Sequence, residues 1–105
     1  MQDTKFSKLA EQTIALIADI IETEDKDCLI DIDFHGDILN LTTTHGIFVI
    51  NKHSAAKEIW LSSPISGPYH FAYVSGIWKS KTAINLIEIL ERELQVDFSK
   101  FSIIN

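Results

Sequence analysis

Ile50 to Phe71 reads INKHSAAKEIWLSSPISGPYHF, and its centre is the run Glu58-Ile59-Trp60-Leu61-Ser62. Side chains along a strand alternate between two faces. Ile59 and Leu61 therefore point one way, and Glu58, Trp60 and Ser62 the other. The aliphatic pair marks the core side, so the tryptophan lies on the polar face of a sheet. A Ser-Ser-Pro turn and Gly67-Pro68 follow. Beyond them Tyr69, Phe71 and Tyr73 alternate with His70 and Ala72, which reads as the next strand.

Working outward, the pattern continues on both sides. Strands are expected from about Asp31 to Phe34, Ile38 to Thr44, Ile47 to Asn51, 57–63 and 68–74, with Gly76-Ile77-Trp78 as a short sixth. Gly36-Asp37 and His45-Gly46 are tight turn signals. Short connections favour antiparallel neighbours. Before the strands, Phe6, Leu9, Ala10, Thr13, Leu16, Ile17, Ile20 and Ile21 recur at three- and four-residue steps. They predict an amphipathic helix from Asp3 to Glu24, about 30 Å long, capped by Asp3 or Thr4. After the strands, Ser80 or Thr82 is expected to cap a second helix with Ala83, Leu86, Ile87, Leu90 and Leu94 inward. Ile84 and Ile89 fall at the margins of that stripe. The tail from Val96 carries Phe98, Phe101, Ile103 and Ile104, and is expected to pack between the helices. The fold class is α+β: a two-layer sandwich with both helices on one face of a five- to six-stranded, mainly antiparallel sheet.

Composition narrows the function. The 105 residues are enough for one domain, 1–105, with one core. The longest apolar run, Ile14 to Ala18, is far short of a membrane span. No signal or transit pattern precedes the first helix, so a cytoplasmic, bacterial setting is expected. A single cysteine, Cys28, excludes an internal disulfide framework, and one thiolate cannot hold an ordinary iron–sulfur cluster. There is no Gly-rich phosphate loop, no GxSxG and no paired nucleophile and base. The four histidines are scattered, with no HxH or i,i+4 pair.

The charge is lopsided. Residues 1–37 hold ten of the fifteen acids and three of the nine basic residues, a net of −7. Nucleic acid, which requires a basic surface, is therefore not an expected partner. Asp19, Glu22, Glu24, Asp25, Asp27, Asp31 and Asp33 form a ridge with only Lys26 among them. Asp19 and Glu22 share a helix face, and Asp31 and Asp33 share a strand face. Two such charges about 7 Å apart repel by roughly 0.6 kcal/mol in water. Cations or a basic partner would offset this by binding the native state. From spacing alone the ridge reads first as a solvated helix end, with a protein contact and then a metal site as the alternatives. All-oxygen ligands suit hard cations and, acceptably, ferrous iron, and open carboxylates predict weak, poorly selective binding. Trp60 on the polar face reads either as a binding anchor or as a ring lying against its neighbours to cover the sheet.

Several residues of the central stretch resemble the frataxin family, the bacterial CyaY type and its mitochondrial relatives. They are Asn51-Lys52, the run Ile59-Trp60-Leu61-Ser62-Ser63-Pro64, Gly67-Pro68 and Tyr69-His70-Phe71. The resemblance implies an iron-binding protein of iron–sulfur cluster assembly, not an enzyme, that regulates or supplies iron to a cysteine desulfurase–scaffold complex. A ferroxidase or iron-storage activity at the ridge is the alternative. It implies weakly bound Fe2+ or Fe3+ at Asp19, Glu22, Asp25, Asp27 and Asp31, to which the strand parity adds Asp33. It implies partner contacts at Glu11, Asp19 and Glu22 on the helix and at Asn51, Trp60 and His70 on the sheet. A monomer is expected without metal, and metal-driven oligomers with it. Thr23 is neutral where bacterial relatives are often acidic, and Lys5 is basic where they can be acidic. The resemblance therefore carries the ridge and not a number of iron sites.

Overall fold

The computed structural model describes residues 2–104, with side chains through Phe101. The first helix, α1, spans Asp3–Glu24. Its buried residues include Phe6, Ala10, Thr13, Ile14, Ile17, Ala18, Ile20 and Ile21, which extends the expected stripe by Ile14 and Ala18. Its cap is Gln2 in extended conformation, and no side chain bonds the first turn. Asp3 and Thr4, the expected caps, already lie inside the helix. At the other end the Asp25 N–H bonds the Ile21 carbonyl.

Six strands follow: β1 (Asp31–His35), β2 (Ile38–Thr43), β3 (Gly46–His53), β4 (Glu58–Ser63), β5 (Gly67–Val74) and β6 (Ile77–Lys79). They lie in chain order, and every neighbouring pair is antiparallel. Short turns permit this meander, since each strand hands directly to the next. Gly46 has φ +123°, and a Cβ there would sit 2.9 Å from Pro64 Cβ, so the β2–β3 turn needs glycine. One face of the sheet is the core side: Leu39, Leu41, Phe48, Ile50, Ile59, Leu61, Phe71 and Trp78 are buried there, together with the apolar side of α1.

The second helix, α2, spans Leu86–Leu94 and starts later than the sequence predicts. Asn85 caps it, its side-chain oxygen accepting from Ile87 N and Glu88 N. Ser80 and Thr82 instead bond each other, and Ser80 Oγ accepts from Ile84 N. Ala83 adopts φ 64° and is exposed, which takes it out of any helix. Shifting the start rotates the stripe: Leu86, Ile89 and Leu90 are buried, and Ile87 and Leu94 are partly so. Ile89 is thus a core residue and not a marginal one. α2 ends where Gln95 turns left-handed.

The tail runs back over the helices. Val96 and Phe98 are buried, and Phe101 packs against the core. Phe98 N–H donates to the Glu91 carboxylate at 3.0 Å, and Lys100 reaches Glu24 on α1 at 3.1 Å. A 3-10 turn covers Ser99–Ile104. The side chains of Ile103 and Ile104 lie outside the described residues.

Candidate functional site

Two surfaces flank the β1 end of the sheet. The first is the acidic ridge, built by the last turns of α1, the loop that follows, and β1. Asp19, Glu22, Asp27, Asp31 and Asp33 are exposed. Among the described residues no hydrogen bond or ion pair engages their carboxylates. Asp25 differs: its two oxygens accept from Leu29 N at 3.0 Å and Ile30 N at 2.8 Å, so it fastens the loop into β1. Glu24 is tied to Lys100. Among the described residues no three His, Cys, Asp or Glu side chains converge closely enough to hold one metal ion. The ridge is therefore a string of separate hard oxygen donors. It suits cations that keep most of their water, and it is not a preformed cage.

Glu11, about two turns up α1 from Asp19, belongs to a different network. Lys52 extends from β3 toward α1, with its side chain only 8% exposed. Its ammonium meets Glu11 Oε2 at 2.8 Å and Ser7 Oγ at 2.7 Å, with Asp37 Oδ1 at 3.6 Å. This charged group pins α1 to the sheet where the core side would otherwise end. The Lys52 hydrogen bond, with that of Ser7, holds the Glu11 carboxyl below the usual carboxylate range. The same bond to Glu11 raises Lys52 above an ordinary lysine, against the opposing effect of desolvation. Glu11 is ionised more readily folded than unfolded, so its contribution is present above its unfolded value near 4.5 and lost as pH falls below it. Lys52 contributes below its unfolded value near 10.5 and loses that contribution as pH rises through the higher folded one. Urea midpoints should therefore show Glu11→Gln less stable than the parent at neutral pH, with the gap closing as pH falls from about 5 to 3. A gap constant across that range would contradict the linkage.

The second surface is the outer face of the sheet. The register lines up Asp33 with Asn40, Asn40 with Val49, Val49 with Ser62, then Asn51 with Trp60 and Trp60 with His70. Glu58, Trp60 and Ser62, expected on the polar face, lie here with Asn51 and His70. Trp60 is sandwiched: His53 stacks on one side at 3.8 Å and His70 on the other at 4.0 Å, both within 9° of parallel. Its indole N–H donates to Glu58 Oε1 at 2.9 Å, and His70 Nδ1 stands 4.0 Å from the same oxygen. His53 Nδ1 in turn accepts from Ala56 N at 3.3 Å. Both faces of the indole are thus covered, which is the covering role, while the half-buried ring is held in one orientation, as an anchor requires. Asn51 donates weakly to its neighbour's carbonyl at 3.4 Å.

Sequence reasoning missed two parts of this face. His53 joins it because β3 runs two residues past the expected end, and Ile38, Ile47 and Val49 add apolar surface between the polar groups. The signal was available: with Phe48 and Ile50 inward, parity puts Ile47, Val49, Asn51 and His53 outward. No helix among the described residues is long and apolar enough to cross a membrane.

The chain is similar to known proteins along its length. An iron–sulfur cluster assembly protein CyaY from Shewanella sp. (strain W3-18-1) is 40% identical over 81 residues, covering 74% of this chain and 73% of that protein. A mitochondrial frataxin-like protein of Leishmania donovani is 33% identical over 102 residues, 88% of this chain. The match spans about half of that relative, 54% of its length. Among solved structures, frataxin from Psychromonas ingrahamii shares the fold with a TM-score of 0.82 at 24% identity, covering 94% of this chain and 99% of that one. Trimeric frataxin from Saccharomyces cerevisiae with its full-length N-terminus gives 0.76 at 32% identity over 82% of this chain and 75% of that one. The same yeast protein in complex with ferrous gives 0.69 at 28%, covering 90% and 84%. The frataxin-like domain model matches residues 1–100, and with these relatives it places the chain in the frataxin family.

Proposed function

We propose that this protein is a non-enzymatic accessory of iron–sulfur cluster assembly, which binds iron weakly on its acidic ridge and docks on a cysteine desulfurase–scaffold complex. The observation that carries the reading is the set of five exposed carboxylates, Asp19, Glu22, Asp27, Asp31 and Asp33, without internal partners among the described residues. They continue around β1 onto the face where Trp60 is clamped. A basic patch on the desulfurase would meet Asp19, Glu22 and the free oxygen of Glu11. The scaffold side would meet Asn51, Trp60 and His70. Iron is cargo here, held by one or two ridge carboxylates and water, with Asp25 as a second-rank ligand because its oxygens already serve the loop. The names of the Shewanella relative and the ferrous complex of yeast frataxin support this reading. Ferroxidase chemistry would need iron held in a defined geometry, and the separated donors supply none among the described residues.

The test is calorimetry with a cysteine desulfurase, without oxygen, with and without Fe2+. Trp60→Ala should weaken binding by about 2 kcal/mol, roughly 30-fold. Asp19→Lys/Glu22→Lys should weaken it about tenfold at low salt, and less as salt rises. Iron should change the wild-type affinity, and that of the charge-reversed variant less. No binding under any of these conditions would overturn the proposal.

A further inference from the structure

The sheet has two edges, and they are treated differently. β6 is three residues long, and a bridge between Lys79 and Asn85 continues its pairing. β1 is five residues long and, among the described residues, pairs only with β2. Among the described residues no hydrogen bond reaches its outer side, so alternate N–H and C=O groups point into solvent. Glu11, Ala15, Ala18 and Glu22 form one stripe of α1, and the Glu11 end of it lies near Phe34 and Asp37. Phe34 remains 44% exposed, although it pairs with the fully buried Leu39.

We propose that this edge of β1 accepts an extended segment of a partner protein as a seventh strand, with basic and apolar residues alternating along it. The two faces of β1 dictate that pattern. Asp31 and Asp33 stand on the outer face, and Ile32 and Phe34 on the inner one. An added strand would set its side chains about 5 Å from these, so lysine or arginine would face the two acids and aliphatic residues would extend the core over Phe34. A second copy of β1 would place acid against acid, which repels. The acids that bar self-pairing therefore select a basic strand. The inference stands on the strand edge and holds whether or not a desulfurase is the partner.

The test uses the acetylated, amidated peptide KVKVKVK and amide hydrogen exchange read by NMR at low salt. Saturating peptide should slow exchange about tenfold or more at alternate residues of 31–35 and leave β6 unchanged. A peptide of the same sequence N-methylated at its lysines and valines keeps its charge but loses the donors of both edges, and should give no protection. Asp31→Lys/Asp33→Lys should shift the preference to EVEVEVE. Equal binding of the N-methylated peptide, binding that leaves the β1 amides unprotected, or no binding at about 1 mM peptide would each overturn the proposal. The N-methylated control changes only the peptide, so a folding defect of the variant cannot imitate the result.

Discussion

Replacing Trp78 with alanine should lower the unfolding free energy by about 3–5 kcal/mol, measured as a fall in the urea midpoint with unchanged slope. Trp78 is the side chain through which the short β6 is held. It is 3% exposed, with Phe6 of α1 edge-on at 6.1 Å and Tyr73 of β5 at 5.1 Å. Its indole N–H donates to Thr13 Oγ1 at 3.2 Å, and that hydroxyl donates onward to the Leu9 carbonyl. Alanine would remove the ring, open a cavity between β6 and α1, and strip Thr13 of one partner. Three strand residues cannot collapse far to refill it. Trp78→Phe should cost much less, about 1–2 kcal/mol, because it keeps most of the apolar area and loses the hydrogen bond. A domain of this size has only about 5–15 kcal/mol in hand, so the alanine variant would be marginal. A loss below about 1 kcal/mol would show that β6 is held by something else.

Ending the chain before residue 97 should cost about 4 kcal/mol. Most of that comes from Phe98, which is buried, with a smaller share from Phe101. The deletion also takes the Phe98 N–H from the Glu91 carboxylate. The Lys100–Glu24 pair contributes little, under about 1 kcal/mol, because Lys100 is well exposed. Phe98→Ala alone should therefore reproduce most of the loss, and Lys100→Ala almost none. An unchanged denaturant midpoint on deletion would refute the assignment.

The candidate surfaces were partly legible. The acids of the ridge were readable one by one, because charge on exposed helix and strand positions is written in the residue types. Which of them are free was not readable. Asp25 and Asp27 look alike in the chain, yet the loop conformation, with Cys28 at φ 53°, brings the Leu29 and Ile30 N–H groups onto Asp25 alone. Glu11 and Glu22 both look solvated, yet only Glu11 meets a lysine, one that stands 41 residues away. The place of Trp60 on the outer face followed from parity. Its partner His70 follows from the β4–β5 pairing, but the stack with His53 needed the β3–β4 register.

The layers can be read from the order of residues alone. The 3.6-residue recurrence of Phe6 to Ile21 and the alternation around Ile59 and Leu61 allow one arrangement, with helices on the apolar face of an antiparallel sheet. That order also determined the charge asymmetry and the tryptophan's side of the sheet. Such features depend on local periodicity and residue type, which are properties of neighbours in the chain. The start of α2, the bridge from Lys52 to α1, the two imidazoles that clamp Trp60 and the open edge of β1 all came from the folded chain. Each of these rests on groups distant in sequence meeting at distances of a few ångströms. Strand register and helix placement set those distances, and periodicity carries no record of either.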